Sequence, residues 1–122
     1  TSTVPPSTTH LVQVGGQGNL IFSPTYISAP VGDVIHFKFL KLNHTLSQSS
    51  LEDPCTPNNV FDTGFIHFNP QNRTDYALDF LIQNSNPQWF FCRQEIPLSH
   101  CHAGMVFAIN PGSNMDEFLV NA

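Results

Sequence analysis

Four side chains of three chemical kinds stand out in this 122-residue chain. Cys92, His100 and Met105 place a thiolate, an imidazole and a thioether within 14 residues, in a run that opens at Trp89-Phe90-Phe91 and closes at Ala103-Gly104-Met105. Upstream, His44 in Asn43-His44-Thr45 supplies a second imidazole. Two imidazoles, a thiolate and a weak axial thioether suit a copper ion moving between two states. Cu(I) favours soft sulfur, and Cu(II) favours nitrogen. Protein groups would fill all four positions, with no open position for a substrate. The chemistry expected is therefore single-electron transfer, and the chain is not expected to be an enzyme.

Cysteine arithmetic bears on this set. There are three cysteines, Cys55, Cys92 and Cys101, and an odd count in a secreted chain means a free thiol, an intermolecular bond or a ligand. Pairing of Cys55 with Cys101 would leave Cys92 as the thiolate and would anchor the neighbour of His100. Closing a loop of about 46 residues would stabilise by roughly 4 kcal/mol on the chain-entropy model. A bridge between Cys92 and Cys101 is the rival, and it would abolish the site. Zinc on Cys92, His100, Cys101 and His102 is a second rival, but it lacks the usual paired-cysteine spacing.

The ligands need a rigid frame, and the composition indicates one built from strands. Ten Pro, seven Gly and eleven Phe favour short strands and turns over helices. Charged residues make up 11%, against roughly 25% in an ordinary domain. The net charge of −5, with only four Lys and Arg, excludes a nucleic-acid footprint and a polybasic membrane patch. No apolar run approaches the length of a membrane span. The polar start, Thr1 to Thr9, is not a secretory signal, so the chain is expected to be a mature or trimmed form of a secreted protein. Two Asn-x-Ser/Thr sequons fit that route. Asn72 is the better glycan candidate, because Asn43 adjoins a ligand and is expected to be partly buried and hydrogen-bonded.

Residues 1–9 read as a disordered lead-in and 10–122 as one domain. Strand candidates are 10–14, 19–22, 26–29, 34–39, 65–68, 76–82, 88–91 and 105–109, with Gly15 to Gly18 as a hairpin turn. In 34–39, Ile35, Phe37 and Phe39 share one face, and Leu78, Phe80 and Ile82 do so in 76–82. Residues 48–62 read as loop, and 113–121 as a helical turn or two packing Phe118 and Leu119. Seven to nine short strands at this spacing give an all-β class, a Greek-key β-sandwich.

These stretches resemble the fungal extracellular cupredoxins, small secreted copper proteins related in fold to plastocyanin and the phytocyanins. The resemblance rests on Val31-Gly32-Asp33, the segment 43–50, Pro54-Cys55 and Phe61-Asp62-Thr63-Gly64-Phe65. Trp89 to Cys92 and the segment 100–111 complete it. It implies a cupredoxin-like fold, His44, Cys92, His100 and Met105 as ligands of one copper ion, and a Cys55–Cys101 disulfide. The seven residues between Cys92 and His100 exceed the two of plastocyanin, whereas the four between His100 and Met105 match it.

Around the ligands, Asn43 and Thr45 are candidates to orient His44 and tune the sulfur. Ile96, Pro97 and Leu98 would form an apolar patch beside His100 where an electron-transfer partner docks. His10, His36 and His67 read as non-ligating strand residues and Met115 as a packing residue. His102 reads as a surface residue, with an electron-entry role and an exposed metal contact as its alternatives. The expected function is that of a secreted, monomeric electron carrier with an unidentified redox partner. Extracellular copper sequestration without a redox partner, and a cell-wall interaction domain with structural or lost metal, are the alternatives.

Overall fold

A computed structural model describes residues 7–41, 43–65, 69–71, 73, 75–96 and 98–122. Eight strands form among them, β1 Thr9–Val14, β2 Phe22–Ser23, β3 Tyr26–Ile27, β4 Val34–Phe39, β5 Ser47–Ser49, β6 Ala77–Leu81, β7 Gln88–Phe91 and β8 Val106–Ile109. One short helix, α1 Met115–Asn121, closes the chain. The strands make two four-stranded sheets, ordered β2-β1-β4-β6 and β3-β8-β7-β5. Within them β1–β4 and β3–β8 are parallel, and the other pairs are antiparallel.

Alternation along each strand builds the core between the sheets. Val12, Val14, Ile35, Phe37 and Phe39 point inward from the first sheet, and Phe90, Phe107 and Ile109 from the second. Phe37 meets Phe107 edge-on with ring centroids 5.3 Å apart, an arrangement that adds to area burial. The opposite face of the second sheet is covered as well. Trp89, Phe91, Val106 and Ala108 pack with Phe118 of α1, and the Trp89 and Phe118 rings lie 4.8 Å apart. This double covering explains why all four residues of β8 are buried.

Several sequence expectations are refined. The boundaries of β4 and β7 match, whereas β2 and β3 are shorter than their candidate segments. Ser47–Ser49, two of whose residues fall in the expected loop, is a strand because it pairs with Trp89–Phe91. A Ser-Gln-Ser segment carries no hydrophobic alternation to announce that. Leu119, expected to pack, is exposed, and on α1 only Phe118 is fully buried. Thr8, placed in the lead-in, accepts a hydrogen bond from the Val34 N–H, and β1 begins at Thr9. The strand expected over 65–68 falls largely outside the described residues, as do His67, Asn72 and Pro97.

Candidate metal centre

Strand alternation places the two candidate sulfur ligands. Phe90 faces the core, so Cys92 two residues on faces the same way, and Met105 bears the same relation to Phe107. Strands β7 and β8 pair through Phe91 and Val106. The next rung brings Cys92 and Met105 together, and the Cys92 N–H donates to the Met105 carbonyl at 3.1 Å. Both side chains are fully buried in the inter-sheet cluster.

The imidazoles come from either side. His44 precedes β5, which pairs with β7, and His100 ends the loop leaving β7. The His44 and His100 Nδ1 atoms lie 3.7 and 3.6 Å from Cys92 Sγ. All three donor atoms fall within 4.8 Å of one another, and all three residues are buried. Each Nε2 is within 3.1 Å of a backbone carbonyl, that of Lys41 for His44 and that of Ile96 for His100. A carbonyl only accepts, so Nε2 carries the proton and Nδ1 presents its lone pair to the sulfur.

Gly15, expected only as a turn residue, walls the site. It adopts φ +76°, and a Cβ there would lie 2.3 Å from His44 Nε2 and 2.6 Å from the Lys41 carbonyl oxygen. The absence of a side chain is what lets the imidazole pack against the β1–β2 turn. Sequence gave no sign of this contact, because Gly15 and His44 are distant along the chain.

Burial sets the electrostatics. It lowers the pKa of His44, opposed by the bond to the Lys41 carbonyl and aided by nearby His100. It lowers that of His100 too, against the bond to the Ile96 carbonyl. Both imidazoles are thus held neutral, the form that ligates metal. Burial pushes the Cys92 thiol up, while backbone N–H groups of Thr45 and Gln94 act in the opposite direction. A cation is what would draw this thiol into the thiolate form.

Around this set, the Thr45 N–H points at Cys92 Sγ at 3.4 Å. Asn43 is half-buried as expected, but its buried Oδ1 has no hydrogen-bond partner. Cys55 and Cys101 form a disulfide across a separation of 46 residues, and Cys92 is the free, buried cysteine. His102 is exposed, with Nδ1 3.6 Å from Cys55 Sγ and no place among the clustered donors. His10 and His36 pair with Asp33 and Asp79, far along the strands from the site. Met115 packs beneath the second sheet. Ile96 and Leu98 are 76% and 52% exposed beside His100.

The donor set suits a single copper ion, with two neutral imidazole nitrogens, one sulfur that ionises on metal binding and a buried thioether nearby. Among the described residues no helix is long and apolar enough to cross a membrane.

No family model matches the chain. It is 33% identical over 103 residues to a probable GPI-anchored cupredoxin of Arthroderma benhamiae, covering 84% of this chain and 51% of the relative. An extracellular serine-rich protein of the same fungus is 28% identical over 109 residues, covering 84% of this chain and 39% of the relative. The chain thus spans about half, or less, of the curated relatives it matches. The fold is shared with a purple cupredoxin from Nitrosopumilus maritimus, at 14% identity and TM-score 0.55, over 82% of this chain and 96% of that one. With this sequence likeness, two-sheet fold and donor set together, the chain belongs to the cupredoxins.

Proposed function

We propose that this domain holds one copper ion through His44, Cys92, His100 and Met105 and carries single electrons without catalysing a reaction of its own. The observation that carries the reading is the convergence of both Nδ1 atoms on Cys92 Sγ, with each Nε2 tied to a carbonyl. Copper bound there supplies a one-electron couple between Cu(I) and Cu(II). The protein's part is to fix the ligands so that neither state demands rearrangement. The carbonyls of Lys41 and Ile96 stop the imidazoles from turning. The buried Phe90, Phe107 and Leu46 around the sulfurs keep water out. The disulfide at Cys101 anchors the residue beside His100.

Exposed Ile96 and Leu98 support a docking and electron-exit face at the edge of His100, whose Nε2 already contacts the Ile96 carbonyl. The names of the two curated relatives, one GPI-anchored and one extracellular, support an extracellular or cell-surface setting. Titration with Cu(II), followed by visible absorption and spin-resonance spectroscopy, tests the centre. One equivalent should give an intense thiolate-to-copper band with narrow copper hyperfine splitting, both lost in Cys92→Ser. A colourless complex with ordinary Cu(II) signals would reject the reading. Leu98→Asp should slow electron exchange with a partner, and an unchanged rate would remove the docking face.

A further inference from the structure

The segment Phe61–Gly64 is latched along β5. The Gln48 N–H donates to the Phe61 carbonyl, the Thr63 N–H to the Leu46 carbonyl, and Ser47 and Asp62 form a bridge. This brings a carboxylate close to the metal centre, and the Asp62 side chain meets three donors. Its Oδ1 accepts from Ser47 Oγ at 3.0 Å and from the Gly64 N–H at 2.8 Å. Its Oδ2 accepts from Arg93 Nε at 2.8 Å.

The direction of every bond then follows. Asp62 only accepts, so Ser47 Oγ spends its proton there and must accept from Thr45 Oγ1, 2.9 Å away. Thr45 Oγ1 in turn accepts from the Arg93 N–H at 3.0 Å. The chain closes on itself, running from the Arg93 N–H through Thr45, Ser47 and Asp62 back to the Arg93 side chain. Arg93 follows Cys92 directly, and Thr45 both follows His44 and donates its N–H to Cys92 Sγ. Arg93 is further steadied over the Phe65 ring, 4.8 Å from its centroid.

We infer that Asp62 is a positioning residue for the metal centre: with Ser47 and Arg93 it closes a hydrogen-bonded ring that holds the Thr45 N–H on Cys92 Sγ. The inference rests on the copper reading above and deepens it. A donor held on the sulfur draws charge from it, which disfavours the oxidised ion and raises the reduction potential. Asp62 acts on the ligand through two hydroxyls and touches neither the sulfur nor an imidazole.

The test has one arm without metal and one with it. In the metal-free protein, Ser47→Ala and Asp62→Asn should each speed hydrogen exchange at the Thr45 amide by about fivefold or more, the worth of one hydrogen bond. Asp62→Asn keeps an oxygen for Ser47 but turns an amide toward Arg93, so the ring opens at the other joint. In the copper-loaded protein, Ser47→Ala should lower the reduction potential although no charge has changed. Asn110→Ala serves as control. It breaks two hydrogen bonds to Ala29 beyond the opposite end of β8, and should lower stability alone. If Ser47→Ala and Asp62→Asn lose stability but keep wild-type Thr45 exchange, and Ser47→Ala keeps the potential, the ring is only a structural tie and the inference falls. A wild-type protein that binds no coloured copper would instead sink the copper reading, and the amide exchange would still decide the ring.

Discussion

Replacing Gly15 with alanine separates the constraint on the metal centre from the ordinary cost of the turn. Gly15 and Gly18 both have φ +76°, and a side chain at either pays for the left-handed conformation, about 1–2 kcal/mol. They differ in surroundings. A Cβ at Gly18 meets nothing within 4 Å, whereas one at Gly15 would lie 2.3 and 2.5 Å from His44 Nε2 and Cδ2 and 2.6 Å from the Lys41 oxygen. The Lys41 oxygen is backbone and cannot swing aside, so the imidazole must move and its 3.1 Å bond to Lys41 is lost. Overpacking of this kind costs a further 1–3 kcal/mol or so. Gly18→Ala should therefore lose about 1–2 kcal/mol in urea unfolding and keep the copper band. Gly15→Ala should lose roughly 2–5 kcal/mol, and its copper band should be weakened or absent. Equal stabilities and equal bands in the two variants would refute the argument that Gly15 is dictated by His44.

Three further outcomes are expected. Cys55→Ser/Cys101→Ser should lose roughly 4 kcal/mol of stability and should widen the copper hyperfine spread as the segment next to His100 loosens; an unaltered spectrum would mean that the disulfide does not hold the ligand. Because burial raises the Cys92 thiol and keeps both imidazoles neutral, copper uptake at pH 7 in weak buffer should release about one proton per ion. Release of none would show a thiolate already formed. The hydrogen bond from His10, reinforced by the Thr8 N–H, depresses the Asp33 pKa below its ordinary 3.8. A depressed carboxyl stabilises the fold above the unfolded value, and the stabilisation is lost as pH falls through the folded one. Stability measured from pH 5 to pH 2 should fall less steeply in Asp33→Asn than in wild type, and parallel curves would contradict this.

The ligand types and much of the frame were legible in the sequence for a local reason. Cys92, His100 and Met105 lie within 14 residues. Period-two alternation of Ile35, Phe37 and Phe39 marked the core face of one strand, whereas the run Trp89-Phe90-Phe91-Cys92, apolar at every position, did not show which side the sulfur takes. The same alternation gave β4 its boundaries. The helix and its packing residue Phe118 were foreseen, but the exposure of Leu119 was not, since that depends on how α1 meets Trp89.

Tertiary structure decided the rest, because the remaining partners are far apart along the chain and carry no periodic signature. Ser47–Ser49 is a strand only because Trp89–Phe91 offers it a ladder. Gly15 matters because the β1–β2 turn comes to rest on His44. Asp62 reaches the centre because its segment docks along β5 and meets Arg93. Residue types and their spacing set which atoms could bind a metal, since donor chemistry belongs to the side chain. How those atoms are oriented, desolvated and held depends on contacts between distant segments, which form only when the two sheets pack.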